Sequence, residues 1–423
     1  MVATKKENPA KKEKKEIKKK GAKEKDIKMS QPNYRKDNEA FYIVGIGASA
    51  GGLVAFEKFF QNMPKDPGMA FVLVTHLDPT HTSILPELLQ KYTDMEVLQI
   101  KDGMKVRPNK VSVAPPNNEL SIFKGTFQLI EPTSHASRIP INYFQRTLSQ
   151  DKRDKALCII PSGMGTDGSL GLRDIKGELG MTRVQDFSSA KYAGMPKSSI
   201  NTGLVDYVLP VEKMPEQLIK YTRHAANNKG VPRVMPVDGA IPDALQIIFI
   251  LLRTQKGHDF YNYKPTSISR RIERRMNVHQ IEDISHYLHN LQRNPLEVAS
   301  LFKELLIGVI SFFRDPEAFK ALKEKALLEL IKTKREDHTF RAWVPGCSNG
   351  EEAYSVAILI KECLMELIKH MQVQFFATDI DGDAIEAARA GSYPESIAVD
   401  VGPDRLKQFF MKVDSSYMIQ KGV

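Results

Sequence analysis

Tyr42-Ile43-Val44-Gly45-Ile46-Gly47-Ala48-Ser49-Ala50-Gly51-Gly52 is the stretch from which the chain is best approached. An apolar run suited to a buried strand ends in glycines, presents one serine, and leads into a helix-like segment, Leu53 to Asn62. Gly47-Ala48-Ser49-Ala50-Gly51 fits the G-x-S-x-G pattern of a nucleophile elbow, where small neighbours permit a sharp turn that presents the hydroxyl. The helix N-terminus that follows would bring backbone N–H groups to a developing oxyanion. A tight βα turn with an incidental serine has the same appearance, so residues elsewhere must separate the two readings.

A serine hydroxyl needs a base to take its proton and a third group to orient that base. The next strand-like run, Ala70-Phe71-Val72-Leu73-Val74, ends at Thr75-His76. Ala156-Leu157-Cys158-Ile159-Ile160 then runs into Pro161-Ser162-Gly163-Met164-Gly165-Thr166-Asp167-Gly168, a second glycine-rich strand-to-helix turn. Open α/β sheets bind ligands at the carboxyl ends of their strands. Three such ends supply Ser49, His76 and Asp167. Alone, His76 reads as a loop histidine and Asp167 as a helix N-cap; placed together they point to a triad.

These segments resemble the three motifs of the CheB-type protein-glutamate methylesterase domain, and Val113-Ala114-Pro115-Pro116-Asn117 and Ala193-Gly194-Met195-Pro196 resemble further signature stretches of it. The resemblance covers about residues 40–222, with five motifs in order. It implies a doubly wound, mostly parallel α/β sheet, Ser49 as nucleophile, His76 as general base, Asp167 as the group orienting it, and Met164 at the oxyanion site. Ala50 departs from the pattern, standing where many members carry threonine. The implied chemistry is hydrolysis of glutamate methyl esters, and the same acyl-enzyme route serves deamidation of glutamine. No cofactor is expected for this half. Nor is there room for an N-terminal receiver domain, so phosphorylation control is expected to be absent or to come from another protein.

Composition narrows the classes. The 423 residues suffice for two or three domains. Residues 1–38 hold 14 Lys/Arg against 6 Asp/Glu, so most of the +10 net charge belongs to a lysine-rich, apolar-poor tail expected to be disordered. The rest is nearly balanced, which argues against a nucleic-acid-binding body. Cys158, Cys347 and Cys363 show no metal-ligand spacing and suggest reduced thiols in a cytoplasmic protein. His76 and His81 are separated by Pro79, which excludes a helical ligand pair, and no metal site is expected. No secretory signal is visible, and no apolar run approaches the roughly twenty residues of a membrane span.

Asn227-Asn228-Lys229-Gly230-Val231-Pro232 marks a linker, taken as 223–242, between an esterase domain at 39–222 and a small all-α domain at 243–334. In that domain Arg270, Arg271, Arg274 and Arg275 fall in two i,i+4 pairs, either a solvated basic face or a docking surface for an acidic partner helix. Thr339 to Val344 reads as a strand, Pro345 to Gly350 as a glycine-bearing turn, Glu351 to His370 as a helix, and Val373 to Ala377 as a strand ending at Asp379. A glycine-rich first turn with an acid after the second strand is how Rossmann-like folds hold a nucleoside. Asp379 could equally cap the helix that follows.

Ile310-Ser311-Phe312-Phe313-Arg314-Asp315-Pro316, Gly350-Glu351-Glu352-Ala353-Tyr354-Ser355 and Ala377-Thr378-Asp379-Ile380-Asp381 resemble a CheR-type protein-glutamate methyltransferase. That resemblance implies S-adenosylmethionine as cofactor, contacted by Arg314, Glu351 and Asp379, methyl-accepting chemotaxis receptors as partners, and a receptor-recognising role for the basic helix. Ile310 replaces the usual threonine. The methyltransferase domain at 335–423 would be truncated, with the later sheet missing, so the transferase half is expected to be inactive without its missing part. Two other readings compete: a non-catalytic receptor-binding scaffold, and a dinucleotide-binding oxidoreductase. Against the second, Gly45, Gly47 and Gly51 give G-x-G-x-x-x-G, and His76, not an acid, follows the second strand.

Overall fold

The computed structural model describes residues 41–76, 84–131, 139–227, 243–308, 310–414 and 416–422. The lysine-rich tail, His81, and 228–242 of the expected linker lie outside the described residues.

Among the described residues the first half is built on nine strands: β1 (Tyr42–Ala48), β2 (Met69–Thr75), β3 (Glu96–Gln99), β4 (Lys110–Val113), β5 (Glu119–Phe123), β6 (Thr126–Ile130), β7 (Ala156–Ile160), β8 (Met181–Gln185) and β9 (Tyr207–Leu209). β5 and β6 form an antiparallel hairpin. The other seven make one parallel sheet in the order β3-β4-β2-β1-β7-β8-β9. Every residue of β1 and β7 is buried, which explains why both read as continuous apolar runs: helices cover both faces. Phe56, Phe59 and Phe60 of helix Gly52–Gln61 pack with Leu218 and Tyr221 of helix Met214–Asn227 on one side. Phe144 and Leu148 of helix Pro140–Lys152 pack with Leu172 and Ile175 of helix Ser169–Gly177 on the other. The strand order reverses between β1 and β7, so a switch point opens at their carboxyl ends. Helix Met214–Asn227 runs past the expected boundary at 222, because Tyr221 and Thr222 are still buried and the chain breakers begin only at Asn227.

Helices Asp243–Lys256, Pro265–His279, Ile284–Arg293 and Pro295–Leu305 enclose a separate core around Leu245, Ile272, Met276, Tyr287 and Leu301. The third of these starts at Ile284 because Asp283 caps it, accepting from the N–H groups of Ser285 and His286. Beyond it, Pro316–Leu322, a π-helical turn Lys323–Leu327 and Leu328–Thr333 pack through Leu327 and Ile331 against Ile358 and Cys363 of helix Glu351–Glu366. The expected domain boundary at 334 therefore falls inside a core; the change of core lies between Leu306 and Phe312.

β10 (Phe340–Pro345) and β11 (Val373–Thr378) pair in parallel, and helix Gly382–Ala390 follows. A small antiparallel sheet of β12 (Ser392–Pro394), β13 (Phe410–Val413) and β14 (Ser416–Ile419) completes this region.

The basic helix departs from both of its expected roles. Arg270 is exposed, but Arg274 and Arg275 are only 3% and 7% exposed. Arg274 donates to the Gly180 carbonyl at 2.7 and 3.0 Å and to both oxygens of Glu304, and pairs with Asp206. Arg275 holds Glu297, and Lys176 reaches Asp206 at 3.1 Å. The acidic partners thus lie within this chain: Glu297 and Glu304 belong to the helical half, and Asp206 belongs to the esterase half, so the buried ionic network joins the two.

Candidate active site

Register carries Ser49 and His76 together. Ala48 of β1 lies opposite Thr75 of β2, so Ser49 and His76 are the next residues out of adjacent strands. The His76 N–H donates to the Ala48 carbonyl at 3.4 Å, and the Ser49 N–H donates to the Ser162 carbonyl at 3.2 Å, which ties the serine to the loop after β7. Ser49 keeps an ordinary negative φ, and Gly51 makes the turn with φ 76°. A Cβ there would lie 2.7 Å from Ser162 Oγ.

His76 Nε2 and Asp167 Oδ2 are 2.8 Å apart, leaving Nδ1 as the ring nitrogen available to a nucleophile. The histidine side chain is 34% exposed and the aspartate 6%. Asp167 also accepts from the N–H groups of Ile141 (3.0 Å), Asn142 (2.9 Å) and Gly168 (2.8 Å). The first two belong to helix Pro140–Lys152, which has no side-chain cap of its own. A carboxylate at a helix N-terminus is stabilised by the helix dipole and by otherwise orphaned donors. Asp167 is therefore both partner to His76 and a helix cap, but of a distant helix; Gly168 is the N-cap of the one that follows it.

Met164 is 60% exposed on the same loop. Its side chain has no donor, so an oxyanion contact there would fall to its main-chain N–H, which meets no acceptor among the described residues. The Ala50 N–H is available in the same way, whereas those of Ser49 and Gly163 are committed to Ser162 and Tyr192. Ser162 was not singled out in the sequence. Its hydroxyl donates to the Ala50 carbonyl at 2.9 Å and accepts from the Tyr192 N–H at 2.9 Å, pinning the serine turn to the loop before helix Gly194–Asn201. Its place in a glycine-rich turn was the available signal.

A second constellation surrounds the turn after β10. Asp379, just past β11, accepts from the Ser348 N–H and the Asp381 N–H, each at 2.8 Å, so it ties the two turns together. The cap of helix Gly382–Ala390 is Asp381, not Asp379. Gly350 has φ 92°, and a Cβ there would lie 2.9 Å from both Ala388 Cβ and Tyr393 Oη. Glu351 is 4% exposed, and its Oε2 is buried without a partner. It lines a cavity of about 100 Å³ with Asn349, Ser311 and Tyr393. A second cavity, about 250 Å³, with Cys347, Gly350, Phe375 and Ile385 in its wall, borders the same turn. An orphaned buried carboxylate oxygen beside a tight glycine turn fits a ligand that brings a hydrogen-bond donor, as the amino group of S-adenosylmethionine would. Arg314, the third residue expected here, is exposed after the buried Phe312-Phe313 pair.

Residues 44–218 match the family model for CheB methylesterase, 243–306 that for the all-alpha domain of CheR methyltransferase, and 309–423 that for the SAM binding domain of CheR methyltransferase. The chain is 32% identical over 356 residues to an uncharacterised 104.1 kDa protein of Rhodobacter capsulatus, covering 79% of this chain and 37% of that protein. It is 31% identical over 182 residues to a protein-glutamate methylesterase/protein-glutamine glutaminase of Pyrococcus horikoshii, covering 42% of this chain and 50% of the relative. A candidate protein-glutamate methylesterase/protein-glutamine glutaminase of Leptospira interrogans is 34% identical over 177 residues, 41% of this chain and 92% of its own length. The chain thus spans half or less of the length of the first two relatives.

Proposed function

This chain belongs to the CheB methylesterase family and carries the CheR methyltransferase domains behind it, and from that premise we propose that it hydrolyses glutamate methyl esters on chemotaxis receptors. The observation that supports this most directly is the His76–Asp167 contact at 2.8 Å, made one residue beyond the strand that neighbours Ser49. Ser49 Oγ attacks the ester carbonyl as His76 Nδ1 takes its proton. The oxyanion meets the free N–H groups of Met164 and Ala50. Methanol leaves with the proton from His76, and a water deprotonated by His76 releases the glutamate carboxylate. Asp167 fixes the ring and stabilises the imidazolium. With a glutamine substrate, ammonia leaves in place of methanol.

The same receptors would be the partners of the second half, in the cytoplasm alongside the first. Glu351, Asp379 and the main chain of Cys347–Gly350 would hold S-adenosylmethionine, which when bound supplies the methyl group for the reverse modification. Among the described residues no helix is long and apolar enough to cross a membrane, so contact with receptors falls to exposed surface.

Methanol release from methylated chemoreceptor membranes tests the esterase. The intact chain should release methanol and S49A should not. Equal release from both would overturn the assignment of Ser49, and no release from either would leave the chain as a receptor-binding scaffold.

A further inference from the structure

Among the described residues, the cation paired with Glu351 comes from outside the transferase half. A carboxylate buried to this degree calls for a cation beside it, because desolvating an unpaired ion is costly. Its partner is Arg173, whose Nη1 donates to Glu351 Oε1 at 2.8 Å. Arg173 lies on helix Ser169–Gly177 of the esterase half, 178 positions earlier. The same Nη1 lies 3.3 Å from the carbonyl of Ile310, at the start of the Ser311-Phe312-Phe313-Arg314 stretch. The two side chains are 15% and 5% exposed, so this contact is sheltered from solvent.

The contact occupies one carboxylate oxygen only. Oε2 remains buried and unpaired. An unmet buried acceptor is costly, and a donor arriving from a ligand would recover that cost. Arg173 therefore does two things: it supplies a counter-charge to Glu351, and it holds the carboxylate by Oε1 so that Oε2 is left for another donor.

We propose that Arg173 of the esterase half is a positioning residue for the cofactor site of the transferase half, acting through Glu351 on a ligand that carries a cationic N–H donor. The proposal rests on the cofactor reading given above. Its consequence is structural coupling between the two halves. Arg173 stands six residues after Asp167 on the same turn-and-helix unit, so one nine-residue helix links the acid of the esterase site to the acid of the cofactor site.

Trp343 provides the readout. It is the one tryptophan of the chain, 67% exposed, and its Nε1 donates to Thr378 Oγ1, the residue before Asp379, at 3.0 Å. The full chain is titrated with S-adenosylhomocysteine into the millimolar range while Trp343 fluorescence is followed. R173A should raise Kd about tenfold or more, the value of one charge-assisted hydrogen bond, and R173K should recover most of the loss. In an E351Q background R173A should have no further effect, which a general loss of structure would not reproduce. An R173A Kd within twofold of the parent, with D379A weakening binding, would overturn the role of Arg173 while leaving the cofactor reading intact. No response from the parent chain would overturn both.

Discussion

Among the described residues Asp167 is surrounded by donors alone: His76 Nε2 and the N–H groups of Ile141, Asn142 and Gly168. A carboxylate suits that position and an amide does not, because its NH₂ would face at least one N–H. D167N should therefore leave the helix cap weakened and His76 in the wrong tautomer, lowering kcat on the order of 10³- to 10⁴-fold. Methanol release by D167N checks it; a loss below tenfold would mean that the aspartate serves chiefly as a cap. The candidate triad was legible at this scale because each member follows a recognisable strand, and parallel neighbours bring such positions to one edge. Arg173, Asn142 and Ser162 were not, since each is defined by a partner far along the chain. Asn142, for example, accepts from Gly168 and Gly171, and nothing in its own neighbourhood signals that.

Strand β1 and helix Pro140–Lys152 illustrate how an element positions a site. Gly45 and Gly47 point to one face of β1, and the helix lies directly on them. A Cβ at Gly47 would come 2.2 Å from Ile141 Cγ2, and one at Gly45 would come 3.1 Å from Leu148 Cδ2. Ile141 is also the residue whose N–H holds Asp167 Oδ2, so the closeness of this packing sets where the carboxylate sits. G47A should cost about 1–3 kcal/mol by overpacking and should lower kcat as well, because the helix must retreat from Asp167. I141A in the G47A background restores room and should recover stability measured by urea unfolding. Failure to recover would place the strain elsewhere. Long elements were legible from their apolar runs and caps. The three-residue strands β9 and β12 were not, since so few residues carry no usable period and owe their pairing to neighbours.

For the whole molecule, the question is what holds the esterase and helical halves in register. Asp206 lies at the centre, among Arg274, Arg275 and Lys176. Burial works to raise its pKa, but Arg274, Lys176 and Arg275 outweigh burial and hold it well below the usual carboxylate range. Burial likewise opposes ionisation of Glu297, yet the hydrogen bonds from His279 and Arg275 bring it down to about 2. The sequence showed four arginines in helical register but could not show that their acids lie outside that helix, so a surface was expected where a junction is found. D206A leaves three buried cations short of a counter-charge and should cost about 3–5 kcal/mol at neutral pH. Because the folded pKa is depressed, this contribution is complete above the unfolded value of about 4 and declines as pH falls below it. The urea midpoints of parent and D206A should therefore stand far apart at about pH 7 and draw together near pH 3, where protons bound only by the unfolded parent erode its advantage. A gap of the same size at both pH values would mean that Asp206 contributes through packing and not through charge, and that the two halves are joined by apolar contact instead.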